Sequence, residues 1–305
     1  MILNDSYCIN PLCKQRDNPA TASSCLACGT SLLICDRYRI IKPIRSPNSA
    51  LPTDIFEVAD WGTDKGDWGT VKILKVLKNT HNSYLVRSFQ QEARVLIWLA
   101  GTQGIPAVAP DGFFSIKPQN SSQKLFCLAI EKISGENLLE LLDKKQYISQ
   151  KIAVDWLKQL TNILQNIHKY HLVHRDIKPS NLMLQPNGKL GLIDFGSVVE
   201  SGMNATPAGS AGYAAPEQIA GKAEARSDFF AMGRTFVHLL TGMRPIDFPK
   251  DEKTGKINWK NQSVKIDNFL ADFLDKLMEP LPEKRPKNTE VILDKLNSIT
   301  CAEPK

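Results

Sequence analysis

Between residues 174 and 196 the chain sets His174-Arg175-Asp176-Ile177-Lys178-Pro179-Ser180-Asn181 ahead of a short hairpin turned at Pro186-Asn187-Gly188, and then Asp194-Phe195-Gly196. Asn-Gly between apolar runs is a strong turn signal, and a hairpin returns the chain to the edge it left. Asn181 and Asp194 therefore come back close together. Upstream, residues 149–171 follow a helical period in which Trp156, Leu157, Leu160, Ile163, Leu164 and Ile167 form one apolar stripe, with Ser149 as the N-cap. Taken singly, His174 reads as a packed histidine and an Asp before Phe-Gly as a turn residue. Chance does not account for all of them, in this order, around one hairpin.

In that order the motifs resemble the signatures of the protein-kinase superfamily. The resemblance implies an α+β, two-lobed fold with a β-rich N-lobe and a helical C-lobe, and ATP and Mg²⁺ as cofactors. Transfer of a γ-phosphoryl group needs a carboxylate to orient the attacking hydroxyl and accept its proton. It also needs oxygen ligands that hold Mg²⁺ against the phosphates. Asp176 fits the first role, and Asn181 and Asp194 fit the second. Lys178 is the residue typical of serine/threonine kinases and would neutralise charge on the transferred group. Ala215-Pro216-Glu217 closes an activation segment that opens at Asp194, Asp228 opens a helix over 227–240, and Arg285 is the expected partner of Glu217. Small-molecule phosphotransferases generally lack this last combination, so the resemblance implies protein substrates. Ser210 stands where the family keeps a hydroxyl on the catalytic Asp and Lys. Arg175 stands where it keeps the receiver of an activation-segment phosphate, with Thr206 as the candidate acceptor.

The stretch 70–77 reads as a strand carrying two lysines, Lys72 and Lys75, which alternation sends to opposite faces. Lys72-Ile73-Leu74-Lys75 aligns with the family's V-A-I-K, which selects Lys75. A helix over 83–100 places Leu85, Phe89, Leu96 and Leu99 on one face with Glu92 among them, while Arg87, Gln91 and Arg94 take the other. A carboxylate directed at a core is costly unless paired, which makes Lys75 its partner. By resemblance, the apolar run 125–130 leads into the hinge, where backbone groups at Glu131 and Ile133 bind adenine and Ile130 closes the back of the pocket.

Two features depart from the pattern. Residues 44–58 should include a glycine-rich phosphate loop, yet they contain no glycine, and Pro47 and Pro52 each lack an amide donor. Gly62, Gly66 and Gly69 come later, in what reads as an exposed turn from Asp60 to Gly69. Ile73 occupies the family's alanine slot above adenine. Slow but real catalysis is the expectation, and a pseudokinase scaffold with weak or no ATP turnover is the alternative.

The first 35 residues hold Cys8, Cys13, Cys25, Cys28 and Cys35, while Cys127 and Cys301 stand alone. Cys8-x4-Cys13 and Cys25-x2-Cys28 have the spacing by which two turns present four thiolates to one structural Zn²⁺. A segment this short does not fold on its own core, so the metal would supply its stability. Cys35 reads as a free thiol at the junction and Cys127 as a small core residue. The whole pattern is similar to a bacterial subgroup of eukaryotic-like serine/threonine kinases with a four-cysteine, zinc-ribbon-like prefix. The implied organisation is a zinc-binding module over 1–35 and a kinase domain over 36–305, divided into an N-lobe, 36–131, and a C-lobe, 132–305. A module of this kind binds nucleic acid, binds a protein partner or braces its neighbour. Its few cations, Lys14 and Arg16 with Arg37 just past its end, argue against nucleic acid. No apolar run approaches the roughly 20 residues that a membrane-spanning helix requires. No secretory signal is visible, and a cytoplasmic location is the expectation.

Overall fold

The computed structural model describes residues 5–46, 50–62, 69–203, 206–260 and 266–299; Pro47, Asn48, Ser49, Gly66 and Cys301 lie outside them. The chain divides into two compact units, residues 1–100 with 106–132, and residues 101–105 with 133–305.

In the first unit, β1 (Asp5–Tyr7) and β2 (Asp17–Pro19) form an antiparallel pair. A six-stranded sheet follows, built from β3 (Leu33–Ile34), β4 (Tyr38–Pro43), β5 (Thr53–Asp60), β6 (Thr70–Leu77), β7 (Val108–Ile116) and β8 (Leu125–Glu131). Its strand order is β3-β4-β5-β6-β8-β7, and α1 (Ser83–Trp98) lies between β6 and β7 in sequence. Alternation gives the sheet two different faces. On one, Phe56 lies opposite Leu74, and Val76 opposite Cys127. These side chains form a buried cluster that is completed by Ile9 and Ile34, with Tyr7 packed against it. The cysteine-bearing segment therefore supplies part of the core that covers this face. The opposite face carries Lys75.

Polar links hold the cover in place. Arg16 lies over the rings of Tyr7 (4.7 Å) and Phe56 (5.5 Å), donates from Nε to the Cys8 carbonyl at 2.8 Å and pairs with Asp54 at 3.4 Å. Arg39 donates to the carbonyls of Ala20 and Ala22 at 2.6 and 2.7 Å. Arg37 grips both oxygens of Asp60 at 2.7 and 3.0 Å and reaches Asp111 at 2.6 Å, while Lys72 approaches Asp60 at 2.7 Å. Asp60 is fully buried and ends β5, so the expected exposed turn does not begin there. Burial alone would raise the Asp60 pKa, but Arg37 and Lys72 more than offset that and hold it below the usual carboxylate range. Removing Arg37 takes two hydrogen bonds from a fully buried carboxylate and leaves Lys72 as its remaining ionic partner. Arg37→Met is expected to lower stability by about 3–5 kcal/mol, read from denaturant midpoints at unchanged m-value.

In the second unit, β9 (Glu136–Asn137), α2 (Leu138–Lys145), α3 (Gln150–Lys169) and β10 (Leu172–Val173) precede β11 (Leu182–Leu184), β12 (Leu190–Leu192) and β13 (Val199–Glu200). Then come α4 (Pro216–Ile219), α5 (Ala225–Thr241), α6 (Asn268–Leu277) and α7 (Thr289–Ser298). Ser149 caps α3, and the whole predicted stripe of that helix is buried. β11 and β12 form the predicted hairpin, with Gly188 at φ +77° in its turn. α5 is buried continuously from Ser227 to Leu240, which makes it the core about which this unit is built. Among the described residues, no helix is long and apolar enough to cross a membrane.

Candidate functional site

In the second unit, residues from two separate segments meet at Asp176. Lys178 Nζ donates to Asp176 Oδ2 at 2.8 Å and to Ser210 Oγ at 2.7 Å, and Ser210 Oγ donates to Asp176 Oδ1 at 2.7 Å. Asn181 Nδ2 donates to the Asp176 carbonyl at 2.8 Å and to Oδ2 at 3.0 Å. With its amide nitrogen so engaged, Asn181 is left to present Oδ1. The hairpin does return the chain, because Ile193 N–H donates to the Asn181 carbonyl at 2.9 Å. Asp194 comes next, exposed and at φ +66°, a left-handed conformation that is costly for a non-glycine residue.

The loop is anchored from beneath. Asp228, fully buried near the start of α5, accepts the backbone N–H groups of His174 and Arg175, each at 2.9 Å, and lies 2.9 Å from His168 Nε2. Burial holds the His174 pKa below the usual imidazole value, and its neutral Nδ1 accepts from Asp176 N–H at 3.3 Å. Gln218 donates to the carbonyls of Arg175 and Ala208 at 2.7 and 2.8 Å, tying the loop to the segment before Ser210. A Cβ on Gly209 would come within 2.4 Å of that amide, and φ there is +125°, so only glycine fits.

Glu217 and Arg285 pair through both oxygens at 2.6 and 2.9 Å, with Ser227 Oγ donating to Glu217 at 2.6 Å. Burial alone would raise the Glu217 pKa, but Arg285 and Ser227 more than offset it, leaving the carboxyl below its usual range. A depressed folded pKa stabilises above the unfolded value, roughly 4.3 for Glu. The contribution is then lost as pH falls through the folded value. Glu217→Gln is therefore expected to destabilise at pH 7 and to flatten the loss of stability below about pH 4, followed by thermal unfolding across pH.

In the first unit, Lys75 Nζ donates to Glu92 Oε1; the two residues are 8% and 5% exposed. Lys72 is committed elsewhere, to Asp60, as strand alternation requires. Asn82 caps α1 by accepting from Tyr84 N–H at 3.0 Å and Leu85 N–H at 3.2 Å, which fixes the helix that carries Glu92. Glu131 ends β8, donating its N–H to the Ala107 carbonyl at 2.8 Å, and Ile130 lies opposite Ile73. Ile133 opens the second unit and packs on Gly191, where a Cβ would come within 2.6 Å of its side chain.

Cys8, Cys13, Cys25 and Cys28 converge so that all four sulfurs lie within 4.8 Å of one another, with Cys8 and Cys28 3.6 Å apart and Cys13 and Cys25 3.7 Å apart. Asn10 Nδ2 approaches Cys28 Sγ and Asn18 Nδ2 approaches Cys25 Sγ, each at 3.6 Å. Cys35 is exposed and Cys127 fully buried. Sequence reasoning missed the amides and the commitment of Arg16 and Arg37 to buried ion pairs. An asparagine near each cysteine pair was the available signal.

The family model for the protein kinase domain matches residues 66–296. The chain belongs to the protein kinase family. It is 29% identical to serine/threonine-protein kinase B of Synechocystis sp. over 97% of this chain and 52% of that protein. It is 32% identical to serine/threonine-protein kinase D of the same organism over 89% and 54%. For serine/threonine-protein kinase PknA of Nostoc sp. the identity is 31% over 87% and 47%. The chain thus spans about half the length of the curated relatives it matches.

Proposed function

We propose that the chain is a serine/threonine protein kinase that transfers the γ-phosphoryl of Mg-ATP to protein hydroxyls. The observation that carries this reading is the network at Asp176, in which a serine hydroxyl already occupies one carboxylate oxygen at 2.7 Å. In the reaction Asp176 orients the acceptor hydroxyl and takes its proton, Lys178 balances charge beside it, and Lys75, held by Glu92, faces the phosphates. Backbone groups at Glu131 and Ile133 take the adenine. Asn181 Oδ1 and the Asp194 carboxylate are the oxygen donors suited to Mg²⁺, which when bound neutralises phosphate charge. The test is transfer of labelled γ-phosphate from Mg-ATP to the chain itself and to a basic protein, with Asp194→Ala as the control. A folded wild type that transfers nothing under either condition would overturn the reading.

The four cysteines suit structural zinc. A tetrahedral thiolate shell with bonds of about 2.3 Å places its sulfurs about 3.8 Å apart, close to the two separations above, and the two amides suit donors to thiolates. The module's role is to cover the sheet, since Ile9 and Tyr7 are part of the sheet's own packing. Thr206 is the proposed regulatory acceptor. Its carbonyl accepts from Arg175 NH1 at 3.1 Å, which places the arginine beside the hydroxyl-bearing residue. Thr206→Ala is expected to remove activation by autophosphorylation, and unchanged activity after preincubation with Mg-ATP would discard it.

A further inference from the structure

The loop joining β4 to β5 is where glycines are missing, and its neck is closed by a side chain. Ile44 N–H donates to the Ile55 carbonyl at 2.9 Å, and Ile55 lies opposite Lys75. Residues facing one another across antiparallel strands share a face, so Ile44, Ile55 and Lys75 point the same way. Thr53, the next residue of β5 on that face, is therefore also on the Lys75 side. Arg45 reaches across to it, donating from NH2 to the Thr53 carbonyl and, at 2.8 Å, to Thr53 Oγ1. Its Nε is buried with no acceptor among the described residues. Anchored through NH2 on Thr53, the guanidinium holds a positive charge on the Lys75 face, and a planar N–H fork matches phosphate oxygens.

We propose that Arg45 is a phosphate-binding residue: anchored on Thr53, it holds the phosphates of a nucleoside polyphosphate on the Lys75 face, in place of the backbone amides of a glycine-rich loop. The inference rests on the kinase reading. It also accounts for how residues 44–58 dispense with glycine, since a side-chain donor reaches out to the phosphate whereas an amide clamp needs the backbone itself to approach it.

The test is calorimetric titration of the intact chain with adenosine, ADP and ATP, for wild type, Arg45→Met and Arg45→Lys. Loss of a charge-assisted contact is expected to weaken ADP and ATP by about 10-fold to 100-fold in Arg45→Met and to leave adenosine within about twofold. Arg45→Lys should bind ATP at an intermediate strength. Adenosine binding serves as the control for folding. Equal weakening of all three ligands would make Arg45 a latch that only shapes the loop, and unchanged ATP binding would likewise overturn the assignment. A wild type that binds none of the three would instead bring down the kinase reading beneath it.

Discussion

Asp176→Asn is expected to lower phosphoryl transfer by about 10²–10⁴-fold, the usual contribution of a positioned general base, while nucleotide affinity stays near wild type. Asparagine preserves the shape that Lys178, Ser210 and Asn181 enclose, so the change isolates loss of the proton acceptor. The amide would turn an N–H₂ toward Lys178 or Ser210, both of which now donate to the carboxylate. Some of the loss is therefore misorientation, and Ser210→Ala measures that share, because it removes one orienting bond and leaves the base. Single-turnover transfer of γ-phosphate separates these effects from product release. Wild-type rates in Asp176→Asn would remove the proposed mechanism.

The second large effect concerns the cysteines. Purified protein is expected to carry one zinc per chain by elemental analysis, and a strong chelator is expected to unfold the first unit. Structural zinc contributes apparent binding energies of about 10–16 kcal/mol in small peptides, which matches or exceeds the roughly 5–15 kcal/mol by which domains are stable. Losing it removes the scaffold that holds Ile9 and Arg16 against Phe56. The readouts are a fall in the thermal midpoint and new binding of an apolar dye to the uncovered sheet face. Metal-free protein whose melting is untouched by the chelator would discard the assignment.

The parts of the site legible in the sequence are those whose residue type is dictated by chemistry or by local period. Glu92 stood out because a carboxylate among Phe89 and Leu96 demands a partner, and Lys75 was told from Lys72 by its alignment with the family's V-A-I-K, with strand parity sending Lys72 to the other face. The cysteine pairs were legible from spacing. What stayed hidden depends on contacts between distant segments. Arg16 and Arg37 look like ordinary surface cations in sequence, yet their partners Asp54 and Asp60 lie on β5. Nothing in the local alternation of β5 and β6 says which segment covers the apolar face. Arg45 was hidden for a related reason: in sequence it registers only as one more residue where glycine was sought, and its meaning comes from the register that puts Thr53 on the Lys75 side.

The cover of the sheet is also the part of this unit that the ribosome makes first. Residues 5–34 leave the exit tunnel before any strand they pack against, and the chain is extended at only about 5–20 residues per second. A metal-closed knuckle carrying Ile9 and Arg16 would be waiting as a template when β4 to β6 emerge, and their apolar side would find its lid already formed. On the zinc assignment proposed above, a cell short of zinc would fail to make this protein well before it failed to run it, and the deficit would appear as lost abundance instead of as slower turnover.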